Sequence, residues 1–174
     1  MKVIGIAGWS GAGKTTLLTR VIPLLTTRGM RVSTIKHAHH DFDVDQPGKD
    51  SHTHRTAGAT EVLVSSANRW ALMHEMRGES EMALDALLAK LSQVDLVLVE
   101  GFKTQGHPKL EVYRAAVGKP LLHPEDANIV AIASNGPVEA SVPVVSLDDV
   151  EAVADILVEK AAPLDTVIAR VRSA

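Results

Sequence analysis

The chain has 174 residues, 45% of them hydrophobic and 22% charged, a balance typical of one globular domain with its own core. Its net charge of −3 argues against a general nucleic-acid-binding or membrane-surface protein, because such proteins carry a basic excess. The absence of cysteine excludes disulfides, cysteine-based zinc sites and thiol catalysis. No apolar run approaches the roughly 20 residues that cross a bilayer, so we expect a cytoplasmic protein.

The first half of the chain predicts strands and helices in alternation. Residues 3–7 form an apolar run typical of a buried parallel strand, and from Lys14 apolar residues repeat with helical spacing until Gly29 supplies a stop. "RVSTIKH" (31–37) predicts a second strand. "EVLVSS" and "RWALMHEM", within residues 61–76, predict an antiparallel hairpin.

The second half continues the alternation. "VDLVLVEG" (94–101) predicts a third buried parallel strand, and Asp148 or Asp149 could cap a late helix. Further strands are predicted at "LEVYR", "IVAIAS" and "VPVVSL". The order indicates an α/β three-layer P-loop NTPase fold, with a mainly parallel sheet and an added hairpin. We expect residues 1–174 to form a single domain.

The strongest motif is "GWSGAGKT" (8–15), which matches the P-loop pattern G-x-x-x-x-G-K-[ST]. Glycines let the backbone N–H groups point at phosphates, the lysine reaches the β- and γ-phosphates, and the last hydroxyl binds Mg²⁺. An apolar strand before the motif and an amphipathic helix after it fit this interpretation. The predicted nucleotide-binding residues here are Gly8, Trp9, Ser10, Gly11, Ala12, Gly13, Lys14, Thr15 and Thr16.

A magnesium site needs an acidic residue near the loop, and Glu100 meets that need at the end of the third strand. The alternative for this carboxylate is a structural ion pair. Thr15 and Glu100 are therefore the predicted magnesium ligands, with Asp45 from the loop after the second strand completing the shell.

The chain resembles the molybdopterin-guanine dinucleotide biosynthesis adapter family, known as MobB. The resemblance runs to about residue 160 and rests on "IAGWSGAGKTTLL", "IKHAHHDFDVDQPGKDSHTHRTAGA", "RWALM", "DLVLVEGFK" and "VAIAS". It implies a GTP-binding homodimer, built partly through the hairpin, that assists the guanylyltransferase attaching GMP to molybdopterin. It also implies weak GTPase activity.

The loop "KHAHHDFDVDQPGKD" (36–50) is rich in histidine and aspartate. It could be a zinc or nickel site using His37 and His39, a nucleotide-responsive switch, or a solvated loop. We favour the switch, because the loop follows a strand that ends near the phosphates. Residues predicted to contact nucleotide, substrate or partner are Lys36, His37, His39, His40, Asp41, Lys49, Asp50 and Arg55.

Two further groups lie near the predicted site. Phe102 and Lys103 follow Glu100 at the mouth of the sheet, where they could contact a phosphate or molybdopterin. "RTAGA" (55–59) could begin a short helix, with Arg55 free to grip an anion in bidentate fashion. Each of these basic residues could equally be a solvated surface charge.

The sequence gives little indication of which nucleotide base is bound, because the N-K-x-D guanine motif is absent. Ser134 and Asn135 follow a late strand and could contact the base. No glutamine or arginine is clearly placed to orient an attacking water. The alternatives to a GTP-binding adapter are a small-molecule kinase and a metallochaperone GTPase.

Overall fold

The structure, a computed structural model, describes residues 1–38 and 42–173. The chain divides into two compact units, Met1–His37 with Leu84–Ala174, and Ala38–Ala83. Among the described residues, no helix has the length and apolar character to cross a membrane. In chain order the elements are β1 (Lys2–Ala7), α1 (Lys14–Thr27), β2 (Val32–Lys36), α2 (Asp50–Thr56), β3 (Glu61–Ser65), β4 (Trp70–His74), α3 (Leu84–Ala89), β5 (Leu96–Glu100), β6 (Lys109–Tyr113), β7 (Ile129–Ser134), β8 (Val144–Ser146), α4 (Val150–Lys160), β9 (Ala162–Pro163) and α5 (Leu164–Ser173).

A mainly parallel sheet forms the centre of the larger unit. Its strand order is β2-β5-β1-β6-β7-β8, and β9 adds an antiparallel pairing to β1. The apolar runs predicted as strands are confirmed, with ends that differ by a residue or two. Such runs become central strands because both faces of a parallel sheet are covered by helices.

Two apolar cores lie on the two faces of this sheet. Alternate residues of β1 separate them, since Ile4 and Ile6 face one core and Val3 faces the other. The first core is completed by α1 and α4, and the second by α3 and α5. The predicted three-layer α/β fold is therefore confirmed.

The sheet topology sets the position of the candidate site. β5 and β6 flank β1, with Ile6 paired to Glu100 and Ala7 paired to Glu111. Because these strands are parallel, their carboxyl ends meet at one edge of the sheet, where ligands of α/β proteins bind. The phosphate-loop motif leaves β1 at that same edge.

The smaller unit contains the predicted hairpin, formed by β3 and β4 with Leu63 opposite Leu72. The helix expected to begin at Arg55 is misplaced in the sequence interpretation, because α2 instead ends at Thr56. Asp50 in its first turn suits the positive end of the helix dipole, and Gly58 at φ +113° allows the chain to turn away after the helix.

Candidate functional site: the phosphate loop and its surroundings

The loop from Gly8 to Gly13 joins β1 to α1 and depends on glycine at both ends. Gly8 has φ +141°, and a Cβ there would lie 2.5 Å from the carbonyl oxygen of Val112. Gly13 has φ +97° and forms the N-terminal boundary of α1. Side chains would strain both positions, so this backbone path requires the glycines that the motif supplies.

Lys14 folds back across the loop. Its Nζ donates to the carbonyl oxygens of Gly8 (3.0 Å) and Trp9 (3.2 Å). Burial lowers the pKa of Lys14, and the nearby ammonium groups of Lys103 and Lys36 lower it further, whereas Glu100 opposes the change. An anion placed beside this ammonium group would favour its charged form and so oppose both of these effects on the pKa.

Thr15 and Glu100, the predicted magnesium ligands, are brought together. The Thr15 hydroxyl donates to Oε1 of Glu100 at 3.2 Å. Hard oxygen ligands of this kind fit Mg²⁺, which binds through one or two protein groups and takes its remaining ligands from water and phosphate. No group of three or more potential metal-ligating histidine or acidic side chains occurs within residues 1–38 and 42–173. The residues present therefore suit magnesium held together with a nucleotide.

Asp45, the third predicted magnesium ligand, lies in the smaller unit and is nearly buried. Its carboxylate accepts from Nη2 (2.8 Å) and Nε (3.4 Å) of Arg55. The same guanidinium also contacts Asp43 at 2.7 Å and Glu75 at 3.5 Å. The hydrogen bond that Arg55 donates to Asp45 raises the pKa of Arg55, and the carboxylates of Asp43 and Glu75 act in the same direction. Arg55 thus grips a carboxylate of its own unit in the bidentate manner expected for an external anion.

The remaining switch-loop residues fall into three groups. Lys36 ends β2 opposite Glu100, and the backbone N–H of His37 donates to the Glu100 carbonyl oxygen at 2.8 Å. Lys49 and Asp50 are exposed at the start of α2. The predictions for His39, His40 and Asp41 lie outside the described residues.

Phe102 and Lys103 lie immediately beyond β5. Phe102 has φ +50°, a left-handed conformation uncommon outside glycine, and its ring lies 4.8 Å from that of His37, measured between centroids. The Nζ atom of Lys103 lies 5.2 Å from the ring centroid of Trp9. The segment after β5 is therefore directed back towards the phosphate loop.

Ser134 and Asn135, the proposed base contacts, differ in their exposure to solvent. The Ser134 side chain is buried, where its hydroxyl donates to the Gly136 carbonyl oxygen (2.8 Å) and accepts from the Gly136 N–H (3.2 Å). Asn135 is exposed at the carboxyl edge of the sheet. Ser134 thus shapes the turn after β7, and Asn135 is the more accessible of the two for a base edge.

Arg114 is a residue of this site that the sequence interpretation missed. It follows β6, and its Nε donates to the carbonyl oxygen of Ala12 at 3.0 Å. The peptide that carries this carbonyl also carries the N–H of Gly13. A cation bonded to the oxygen polarises the peptide and strengthens that N–H as a donor. An arginine directly after a buried strand beside β1 was the available signal.

The matching family model is described as "Molybdopterin guanine dinucleotide synthesis protein B" and covers residues 3–135. The chain is 45% identical over 160 residues to the Escherichia coli (strain K12) molybdopterin-guanine dinucleotide biosynthesis adapter protein, covering 90% of this chain and 91% of that protein. It is 41% identical over 158 residues to the Haemophilus influenzae protein of the same name, with coverages of 89% and 86%.

Solved structures agree with the sequence relatives. The crystal structure of a molybdopterin-guanine biosynthesis protein B matches with a TM-score of 0.72 at 29% identity, over 90% of this chain and 98% of that one. A MobB homologue from Bacillus stearothermophilus matches with a TM-score of 0.65 at 27% identity, with coverages of 95% and 99%. The family model spans most of the chain and the relatives match it nearly end to end, so the chain belongs to the molybdopterin guanine dinucleotide synthesis protein B (MobB) family.

Proposed function

We propose that the protein is a Mg-GTP-binding adapter in the biosynthesis of molybdopterin guanine dinucleotide. Family membership and relatives named as adapters of this pathway support the pathway role. The observation that carries nucleotide binding is the contact of Thr15 with Glu100 at 3.2 Å, beside a phosphate loop that leads directly into Lys14 at the start of α1. This combination pairs a phosphate-binding backbone with two protein oxygen ligands of the kind that Mg²⁺ binds.

In this proposal each group of the site has one task. Backbone N–H groups of the loop hold the phosphates, and Lys14 exchanges its two carbonyl partners for phosphate oxygens. Thr15 and Glu100 hold magnesium, which neutralises charge on the β- and γ-phosphates when bound. Asn135 is the candidate contact to guanine. Asp45 remains a proposed member of the magnesium shell, for which it would have to release Arg55.

The protein acts in this proposal beside a guanylyltransferase that joins GMP to molybdopterin, and it presents GTP or molybdopterin to that enzyme. We expect intrinsic GTP hydrolysis to be slow. Arg114 is hydrogen-bonded to the loop backbone rather than directed at an attacking water, and no described residue is clearly placed to orient that water. Single-turnover hydrolysis well below about one per second is the expected result.

A homodimer formed through the hairpin is the second part of the proposal. Leu63 and Trp70 are 62% and 67% exposed, and Leu72 opposite Leu63 is 43% exposed. In the strand pairing these three residues share one face, and an isolated two-stranded hairpin is marginally stable in water. A second copy of the chain would cover this apolar face and add stability to the hairpin.

Calorimetric titration with GTP and with ATP, each with Mg²⁺, tests the nucleotide part. We expect clear preference for GTP, with binding that requires the ammonium group of Lys14. Preference for ATP would instead favour a small-molecule kinase. The Lys14→Ala variant should retain its thermal unfolding temperature and lose nucleotide affinity. Lys90→Ala, an exposed lysine at the end of α3, is the matched control and should bind GTP normally. Normal GTP binding by Lys14→Ala would refute the phosphate-loop assignment.

A further inference from the structure

Two segments of the larger unit converge on the side chain of Trp9, the one that carries Lys103 and the one that carries Lys119 and Pro120. Trp9 is the second residue of the phosphate loop, and its indole N–H donates to the carbonyl oxygen of Pro120 at 2.7 Å. Two ammonium groups approach the ring, that of Lys103 at 5.2 Å and that of Lys119 at 5.8 Å from the centroid. The hydrogen bond fixes the indole edge, so the ring and its two lysines form a defined surface beside the loop.

The backbone after β5 is shaped to deliver one of these lysines. Gly101 has φ +98°, and a Cβ there would lie 2.6 Å from the Cβ of His37, so the position admits only glycine. Phe102 follows at φ +50°. Two consecutive left-handed residues turn the chain sharply, and Lys103 comes next. Strained backbone of this kind concentrates at functional sites, and here it directs a lysine over Trp9.

Positive charge around the loop exceeds the negative charge that faces it. Glu100 is bonded to Thr15, and within residues 1–38 and 42–173 none of Lys36, Lys103 and Lys119 forms an ion pair with a carboxylate. Burial lowers the pKa of Lys14, Glu100 raises it, and the charges of Lys103 and Lys36 lower it further, so these two lysines lie close enough to act on Lys14. A nucleotide γ-phosphate with magnesium would occupy Lys14. The lysines over Trp9 would remain without an anion.

We propose that Trp9, Lys103 and Lys119 form a second anion-binding site, which holds a phosphorylated heteroaromatic ligand while a nucleotide occupies the phosphate loop. The flat indole face suits a planar ring, and the two long side chains can move from the indole to a phosphomonoester. This inference rests on the proposed function, under which the ligand is a phosphorylated pterin. The site would place that phosphate next to the nucleotide phosphates.

The test uses the full-length Trp70→Phe protein, in which Trp9 is the remaining tryptophan. The loop is saturated with a non-hydrolysable GTP analogue and Mg²⁺, and Trp9 fluorescence is followed while neopterin monophosphate, neopterin or inorganic phosphate is added. We expect neopterin monophosphate to quench Trp9 fluorescence and to bind about tenfold more tightly than neopterin. Neopterin has no phosphate, so it cannot form charge-assisted hydrogen bonds with the two lysines.

Lysine variants identify the groups that hold the phosphate. Lys103→Gln and Lys119→Gln should each weaken neopterin monophosphate by about tenfold and leave neopterin unchanged. Lys90→Gln is the matched control. Equal binding of the two pterins, or lysine variants that bind the phosphate form like the parent, would overturn the proposal. Variants that instead weaken the GTP analogue but not GDP would also overturn it, since the lysines would then serve the γ-phosphate.

The same titration without nucleotide separates this site from the proposed function. A protein that binds the GTP analogue but shows no quenching by the pterin phosphate would overturn the second site and leave nucleotide binding supported. A protein that binds the pterin phosphate through Lys103 and Lys119, yet never binds the GTP analogue, would support the site and overturn GTP binding. The two failures therefore have different signatures.

Discussion

Acid should destabilise this protein through one buried histidine. His107 is fully buried, and both ring nitrogens lack a hydrogen-bond partner among the described residues. Its ring packs on β1 so closely that a Cβ at Gly5 would lie 2.4 Å from Nε2. Burial lowers the pKa of His107 from 6.5 to about 4, with the ammonium group of Lys109 acting in the same direction and Asp126 opposing it.

The sign and size of the effect follow from proton linkage. The folded protein keeps His107 neutral, whereas the unfolded chain takes up a proton below pH 6.5. The stability contribution is therefore complete above that pH and is lost as pH falls towards about 4. At about 1.4 kcal/mol per pH unit, the loss reaches about 2.5 kcal/mol by about pH 4.5. Small domains have about 5–15 kcal/mol in total, so the change is readily measured.

Urea unfolding of wild type and His107→Phe, between about pH 7 and about pH 4.5, measures the effect. Carboxylates titrate in both proteins, so the difference between the two curves isolates the histidine. Wild type should lose about 2.5 kcal/mol more than the variant over this range. Parallel loss in the two proteins would refute the reasoning. So would an NMR titration of wild type in which the His107 imidazole protonates near pH 6.5, and that measurement does not depend on the variant folding.

Three substitutions test the candidate site and the proposed dimer. Glu100→Gln should keep the fold and weaken the magnesium-dependent part of GTP affinity by about tenfold, measured by calorimetry with and without Mg²⁺; an unchanged magnesium dependence would exclude its role. Arg114→Met removes the hydrogen bond to the Ala12 carbonyl and should weaken the affinities for GTP and GDP alike by about tenfold. Arg114→Lys should partly restore them. A changed ratio of GTP affinity to ATP affinity would instead indicate that Arg114 recognises the base. Leu63→Glu should weaken the affinity of the dimer by at least about 100-fold, measured by sedimentation velocity. The exposed control Gln46→Glu should leave it unchanged. A wild-type protein that is monomeric would refute the interface.

Elements with a strong local signal could be predicted from the sequence. The strands of the sheet are short apolar runs, and the helix that follows the loop carries a repeating apolar stripe that ends before Gly29. Asp149 caps α4 by accepting from the Ala152 N–H at 3.0 Å, as one of the two predicted candidates. The contact between Thr15 and Glu100 was also predictable, because β1, which leads into the phosphate loop, and β5, which ends in Glu100, were both correctly assigned.

α5 was missed although its pattern was available in the sequence. Leu164, Val167, Ile168 and Val171 recur with i, i+3, i+4, i+7 spacing, and Val167 is buried in the second core. The misplacement of α2 has a different cause, a weak local signal. The position of α2 depends on which acidic residue starts the first turn, and the sequence offers several. Lys119 joins the site through the turns that follow β6, and no spacing rule encodes them, whereas Arg114 follows β6 directly and could have been found from the sequence.

A charged side chain without an ion-pair partner is better evidence of a ligand site than a charged side chain that already has one. Arg55 was expected to bind an external anion, yet it already contacts three carboxylates, one of them nearly buried. Lys109, the buried first residue of β6, is likewise matched by Asp126 at 2.9 Å. An anion that approached either group would have to displace a partner held at close range in a partly dehydrated setting, which is costly. Within residues 1–38 and 42–173, Lys103 and Lys119 form no ion pair and lie over the indole ring of Trp9, so a phosphate could bind them without displacing one of those carboxylates. In a chain whose net charge is −3, a local excess of unpaired cations beside the phosphate loop therefore indicates a place where a ligand supplies the missing negative charge.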